Sequence, residues 1–123
     1  MKLLKITACT AILAILCLAQ VACSRSRTIV VSLTNTSAQP LSAIVVDYPE
    51  ATFGKNTLKP GETYQYRIKA TDSGPMKITF TNAAGQARIF SLTTVRKNDE
   101  GAIEVRLTQD AATPDARLKT FGN

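Results

Sequence analysis

Residues 63–70 read TYQYRIKA and carry the clearest alternation of apolar and polar side chains in the chain. The residues at 64, 66, 68 and 70 face one way, and Gln65, Arg67 and Lys69 face the other, because successive side chains of a strand point to opposite faces of its sheet. The stretch therefore predicts a strand with one face on a core, and it assigns Tyr64 and Tyr66 to that core.

A turn signal precedes this strand directly. Lys59-Pro60-Gly61-Glu62 has Pro at the second position and Gly at the third. Pro presets φ near −65°, and Gly accepts the positive φ that a type II turn needs at its third residue. The sequence therefore predicts a type II turn between two strands.

Further strands are predicted on both sides of this turn at a spacing of about ten residues. Turn residues separate them, and the second strand is apolar on both faces around 44–46, which favours a central place in its sheet. The seven predicted strands are 28–35, 41–48, 55–58, 63–70, 76–81, 87–92 and 103–108.

This strand spacing, together with the turn at Leu58-Lys59-Pro60-Gly61-Glu62, resembles immunoglobulin-like and fibronectin type III-like domains over residues 28–108. The resemblance implies an all-β fold: a single seven-stranded antiparallel sandwich. The core Trp and the inter-sheet disulfide of antibody domains are absent, since the chain has no Trp and all three cysteines precede residue 24. Residues 109–123, rich in Ala, Thr and charges, are predicted to form a flexible tail.

The first 22 residues have the pattern of a secretory signal peptide. Lys2 and Lys5 flank the start, an apolar run follows over residues 6–19, and small residues precede Cys23. The apolar run is shorter than the roughly 20 residues that a permanent transmembrane helix requires.

Gln20-Val21-Ala22-Cys23 resembles the lipobox of bacterial lipoproteins. The resemblance implies cleavage between Ala22 and Cys23, acylation of Cys23 and a membrane anchor, with residues 23–27 as a short tether. In these lipoproteins an Asp after the acylated cysteine implies retention in the inner membrane. Ser24 stands there in this chain, which implies location in the outer membrane. Gln20 departs from the usual Leu, so cleavage to a soluble periplasmic protein and retention as an uncleaved anchor stay open as alternatives.

Composition argues against enzymatic chemistry. The chain of 123 residues has no His, which removes Ser-His-Asp and Cys-His nucleophilic schemes and His-bearing zinc sites. No catalytic residue, metal site or cofactor is predicted. The net charge is +6, including Lys2 and Lys5 of the signal, and the basic residues form no run, so nucleic acid is not an expected partner.

Two surfaces are candidates for binding. The predicted loop 49–54 places Tyr48, Pro49, Glu50 and Phe53 together, and aromatic residues on a loop held by a rigid scaffold are typical of recognition sites. The alternative is that Tyr48 and Phe53 only pin this loop to the sandwich.

A possible basic patch consists of Arg67, Lys69 and Lys77, on the assumption that their strands are neighbours in one sheet. An ordinary solvated sheet face is the alternative.

These features predict a membrane-tethered, non-enzymatic protein of the cell envelope that binds another envelope protein. The alternative function is a carbohydrate- or polyanion-binding module at the cell surface. The sequence leaves the oligomeric state open.

Overall fold

The computed structural model describes residues 27–121, which form eight β-strands. In chain order they are β1 (Ile29–Asn35), β2 (Leu41–Tyr48), β3 (Ala51–Leu58), β4 (Thr63–Ile68), β5 (Gly74–Thr81), β6 (Ala87–Val95), β7 (Asp99–Leu107) and β8 (Ala112–Thr120). The all-β prediction is confirmed, but the predicted number of seven strands is wrong by one.

The strands form two four-stranded sheets that pack as a sandwich. Sheet A has the order β4-β1-β7-β8, and sheet B has the order β3-β2-β5-β6. All neighbours are antiparallel except β1 and β7, which run parallel, so the expectation of a wholly antiparallel fold is corrected. The two-sheet arrangement is compatible with an immunoglobulin-like fold.

Alternating apolar residues on the inner faces of the two sheets make the core. Their burial removes apolar surface from water, at about 25 cal/mol per Å². The fully buried side chains include Ile29, Val31, Leu33, Leu41, Val46, Leu58, Met76, Ile78, Phe80, Val95, Ile103 and Leu107.

Strand β2 lies in the interior of sheet B, between β3 and β5, as its apolar residues predicted. A bulge at Ala43, where φ is +50°, shifts the register between β2 and β5. This bulge places Leu41, Ile44 and Val46 all on the inner face, and it leaves Val45 on the outer face, 40% exposed.

Strand β8 corrects the prediction of a flexible tail over 109–123. Residues 112–120 pair with β7 along its whole length, and Leu118 packs against the core. Gly101 permits the close approach of the two strands: a Cβ there would clash with the Arg117 carbonyl oxygen, and its φ of +144° favours glycine. Because β8 is an edge strand with few inward apolar residues, its sequence gave only a weak strand pattern.

The turn at Lys59–Glu62 carries the chain from sheet B to sheet A. The Glu62 N–H donates to the Lys59 carbonyl at 3.0 Å and Gly61 has a φ of +77°, as the predicted type II turn requires. Type I and II turns splay their flanking strands. Accordingly, β3 and β4 do not pair but become edge strands of different sheets on the same side of the sandwich.

Asn35, at the end of β1, holds this turn in place. Its buried amide Nδ2 donates to the carbonyls of Leu58 (2.9 Å) and Gln39 (2.8 Å), and its Oδ1 accepts from Ser37. Its backbone bonds both Gly61 and Glu62 across the turn. A single buried side chain thus links β1, the β1–β2 loop and the end of β3.

We predict that Asn35→Ala lowers the free energy of unfolding of the mature protein by about 2 kcal/mol or more, because two carbonyl acceptors lose their buried donor. Urea denaturation followed by circular dichroism measures the change. The exposed Asn56→Ala is the matched control and is expected to stay within about 0.5 kcal/mol of the wild type. Equal stability of the two variants would contradict the role given to Asn35.

The backbone amides of residues 112–120 that donate to β7 are expected to exchange with deuterium far more slowly than those of a flexible peptide, because they are hydrogen-bonded; in an edge strand these are alternate amides. Gly101→Ala is expected to accelerate this exchange by separating β8 from β7. Gly85→Ala, in the β5–β6 turn of the other sheet, has the strain of a positive φ (+78°) without any clash, so it is the matched control and should leave this exchange unchanged. Fast exchange over 112–120 in the wild type would favour the flexible tail.

Candidate functional site: an aromatic seam between two edge strands

Four aromatic rings lie between the edge strands β3 and β4, and we call them the aromatic seam: Tyr48, Phe53, Tyr64 and Tyr66. Phe53 is at the centre. Its ring centroid lies 4.5 Å from that of Tyr66, with an interplanar angle of 14°, so these two rings are stacked. Tyr48 and Tyr64 are tilted against Phe53, at 6.1 Å and 6.5 Å.

The four rings of the seam differ in their exposure to solvent. Phe53 is 7% exposed and belongs to the core, Tyr48 and Tyr64 are half-buried, and Tyr66 is 40% exposed. The prediction that Tyr66 is a core residue is therefore wrong, although it shares the inward side of β4 with Tyr64 and Ile68. Because β4 is an edge strand, its inward side chains reach the boundary between the two sheets, where solvent enters.

Charged side chains border the seam at Tyr64. The Lys55 ammonium lies 5.0 Å from the centre of the Tyr64 ring and 3.7 Å from Glu62 Oε1. A cation over a tyrosine face is attracted by the ring quadrupole. Lys55, on β3, therefore adds a positive charge beside an aromatic surface, and Glu62 partly balances it.

Burial, and secondarily the proximity of Tyr66, raises the pKa of the Tyr48 phenol above its ordinary value of 10.0. Tyr48 therefore remains a neutral hydroxyl, able to donate a hydrogen bond, throughout the physiological range. The seam combines apolar ring surface with phenolic donors, a combination suited to recognition of a partly polar partner.

The predicted binding loop is mostly strand. Only Pro49 and Glu50 form the turn between β2 and β3, whereas Phe53 lies in β3 and faces the core. Glu50 has a φ of +73°, and its carboxylate accepts a hydrogen bond from Thr71. The interpretation that Phe53 displays its ring on a loop is corrected: Tyr48 and Phe53 meet, but as part of the seam.

The predicted basic patch is divided between the two sheets. Arg67 lies on β4 in sheet A and Lys69 follows it closely, whereas Lys77 lies on β5 in sheet B, opposite Asp47 in the register. The error has a topological cause: the chain crosses between sheets after β4, so β4 and β5 are not neighbours. Arg67 and Lys69 remain together, and Lys77 does not join them.

Residues 27–121 contain no group of three or more His, Cys, Asp or Glu side chains placed to hold a metal ion. Asp47 and Glu50, the carboxylates nearest each other in the β2–β3 region, lie on the outer sheet face and in the turn respectively. Asp99 is buried, and its oxygens accept hydrogen bonds from the Arg96 N–H and the Thr120 hydroxyl. These hydrogen bonds give Asp99 a structural role at the start of β7.

Two other surface features stand out. A shallow polar groove of about 330 Å³ lies on the outer face of sheet A, lined by Ser32, Thr34, Thr36, Thr63, Gln65, Glu104, Val105 and Arg106. On the outer face of sheet B, Ile89 is 69% exposed, and Thr79 separates it in the register from Val45. Neither feature combines a buried aromatic anchor with free strand edges, as the seam does.

Ala22 and Cys23, the predicted cleavage and acylation site, lie outside the described residues. Over residues 27–121 the structure has no helix of the length and apolar character needed to cross a membrane. Comparison of the chain with protein-family models, curated proteins and solved structures found no match.

Sequence reasoning missed Tyr66, Tyr64 and Lys55 as candidate binding residues. The type II turn at 59–62 was the available signal, because such a turn disfavours a hairpin and so separates β3 from β4. Tyrosines on a strand that leaves its predecessor in this way come to lie at a sheet edge.

We predict that the Tyr48 phenol ionises above its ordinary pKa of 10.0 and that Tyr48→Phe removes this late step. Phenolate absorbance measured against pH tests this directly, since the chain has no Trp. Because the folded-state pKa of Tyr48 is raised, its contribution to stability is complete below pH 10 and is lost as the pH rises through the folded value. Unchanged titration in Tyr48→Phe would contradict the assignment.

Proposed function

We propose that the chain is a lipoprotein of the bacterial cell envelope, acylated at Cys23, whose sandwich binds another envelope protein through the aromatic seam. The proposed location in the cell envelope rests on residues 1–22, which resemble a signal peptide, and on residues 20–23, which resemble a lipobox. The sandwich is proposed to be non-enzymatic, because the chain lacks His and offers the seam as a binding surface rather than a reactive centre.

The stacked pair of Tyr66 and Phe53 carries the proposal. Phe53 is fixed in the core, so the exposed Tyr66 ring is supported from beneath and loses little conformational freedom on binding. Rigid aromatic side chains of this kind dominate the energetics of protein interfaces, and tyrosine is among the residues most enriched in binding hot spots.

The free edges of β3 and β4 give the seam a second means of recognition. Among residues 27–121, each strand pairs on one side only, with β2 and β1 respectively. An extended partner segment that added to the edge of β4 would use main-chain hydrogen bonds for affinity and place its side chains beside Tyr66 and Tyr64. Strand addition with an aromatic anchor is the mode of binding that we propose.

Tyr66→Ala is expected to reduce capture of the dominant envelope partner, by cross-linking in cells, about tenfold, which is the loss typical of a truncated interface hot spot. Tyr66→Phe keeps the ring and should retain most of the capture. Ile89→Ala, at an exposed apolar residue on the opposite edge, is the matched control and should capture normally.

Thermal melting of each variant separates lost binding from lost folding. Phe53→Ala is unsuitable for this test, since it opens a cavity in the core at a cost of about 3–5 kcal/mol. If Tyr66→Ala captured the partner normally and Ile89→Ala did not, the binding surface would lie on sheet B. That result would contradict the proposed role of the aromatic seam.

A carbohydrate- or polyanion-binding module is the alternative function. The observation that favours it is the exposed face of Tyr66, on which a sugar ring would stack, beside the Lys55 ammonium. This function predicts salt-sensitive binding of purified envelope glycans or lipopolysaccharide that Tyr66→Ala abolishes. Absence of binding at low ionic strength would exclude it.

A further inference from the structure

The described chain begins at one end of the sandwich, which we call the anchor end. Arg27 lies two residues before the start of β1, and the Thr28 carbonyl accepts a hydrogen bond from the Gly101 N–H near the start of β7. Cys23 lies four residues before Arg27. Four residues span at most about 14 Å, so an acylated Cys23 would hold the anchor end next to the bilayer surface.

Basic side chains flank the outer face of sheet A at this end. In the register, Arg67, Val30, Ala102 and Arg117 form one row across the four strands. Lys69 follows Arg67 by two residues, and Lys119 follows Arg117 by two, both toward the anchor end. All four basic side chains are exposed, and we call this group, together with Arg27, the basic band.

The residues between the two basic flanks of the band have small side chains. Val30 and Ala102 lie between the two basic flanks, and the four strands that carry them are spaced by about 4.8 Å, so the flanks are about 14 Å apart. The two pairs of cations are therefore separate basic clusters that face the same side of the sheet.

Nearby carboxylates offset only part of this charge. Glu100 is the carboxylate within the band, where it is paired in the register with Lys119. Asp115 lies 3.4 Å from Arg117, and both side chains are exposed, so this ion pair is weak. Glu50 and Asp72 belong to the sheet B side of the anchor end, in the β2–β3 turn and the β4–β5 loop.

Phe121, at the C-terminal end of the described residues, lies against Arg27, at their N-terminal end. Its ring lies 4.6 Å from the Arg27 guanidinium carbon and 5.2 Å from the Lys119 ammonium. The half-buried ring thus holds two cations at the point where the tether enters. Aromatic side chains beside cations are also favoured at membrane interfaces.

We infer that the basic band is a contact surface for anionic phospholipid head groups, so that the sandwich lies against the membrane by the outer face of sheet A. The inference rests on the proposed acylation of Cys23 and adds an orientation to it. Each basic residue near an anionic surface strengthens association about fivefold, and the tether keeps the band within the roughly 8 Å over which the attraction persists at physiological salt.

This orientation keeps the partner site accessible. With the outer face of sheet A on the membrane, the seam along the β3–β4 side stays open to a partner, and the Lys59–Glu62 turn points away from the tether. The band and the seam therefore serve two different partners at once.

The test uses the full mature protein, extracted from membranes and reconstituted into vesicles of phosphatidylcholine alone or with phosphatidylglycerol. Its intact mass first establishes whether Cys23 is acylated, which tests the proposed function separately. Residue-by-residue acylation of lysines by an amine reagent, read by mass spectrometry, then reports exposure. Lys69 and Lys119 should react about fivefold more slowly in the anionic vesicles, and Lys59, at the opposite end, should not change.

Two matched double variants test whether the positive charge of the basic band causes this protection. Arg67→Gln with Arg117→Gln removes two charges from the band and should abolish most of the protection of Lys69 and Lys119. Lys77→Gln with Arg88→Gln removes two charges from sheet B, which this orientation turns away from the membrane, and should leave it intact. Equal reactivity of Lys69 and Lys119 in both kinds of vesicle, in protein shown to be acylated, would overturn the inference while leaving the anchor established.

Discussion

The crossing of the chain from sheet B to sheet A at Lys59–Glu62 is the constraint on which the other features depend. Asn35 fixes this crossing with hydrogen bonds to Leu58 on one side and to Gly61 and Glu62 on the other. Because such a turn disfavours a hairpin, β3 and β4 do not pair, and two strand edges come to lie side by side with the inner aromatic rings between them. The seam is therefore a consequence of the turn and not of an added loop.

The same crossing organises the charges. After β3 the chain crosses between the sheets at β3–β4, β4–β5 and β6–β7, so basic residues that are neighbours in sequence, such as Lys69 and Lys77, are separated in space. Residues far apart in sequence, such as Arg67 and Arg117, instead share a row of sheet A. The domain thus has basic side chains grouped at the end where Arg27 lies, and the aromatic seam along one side.

The sequence predicted the all-β class, the type II turn and the central position of β2, because alternation and turn chemistry are local properties. It did not predict β8, whose edge position needs few buried side chains, or the exposure of Tyr66, which depends on strand order. Strand order is set by long-range packing between the sheets. The basic patch was wrong for this reason, because it assumed that β4 and β5 are neighbours in one sheet. The predicted loop was wrong in its extent, because β3 begins at Ala51 and not at Lys55.

The intact mass of the protein extracted from membranes tests whether Cys23 ties this sandwich to a membrane surface. We expect a chain that begins at Cys23 and carries the added mass of acyl chains, and a Cys23→Ser variant that carries none and leaves the membrane fraction. An unmodified chain in the soluble fraction would contradict the proposed anchor, and the seam would then belong to a free periplasmic domain.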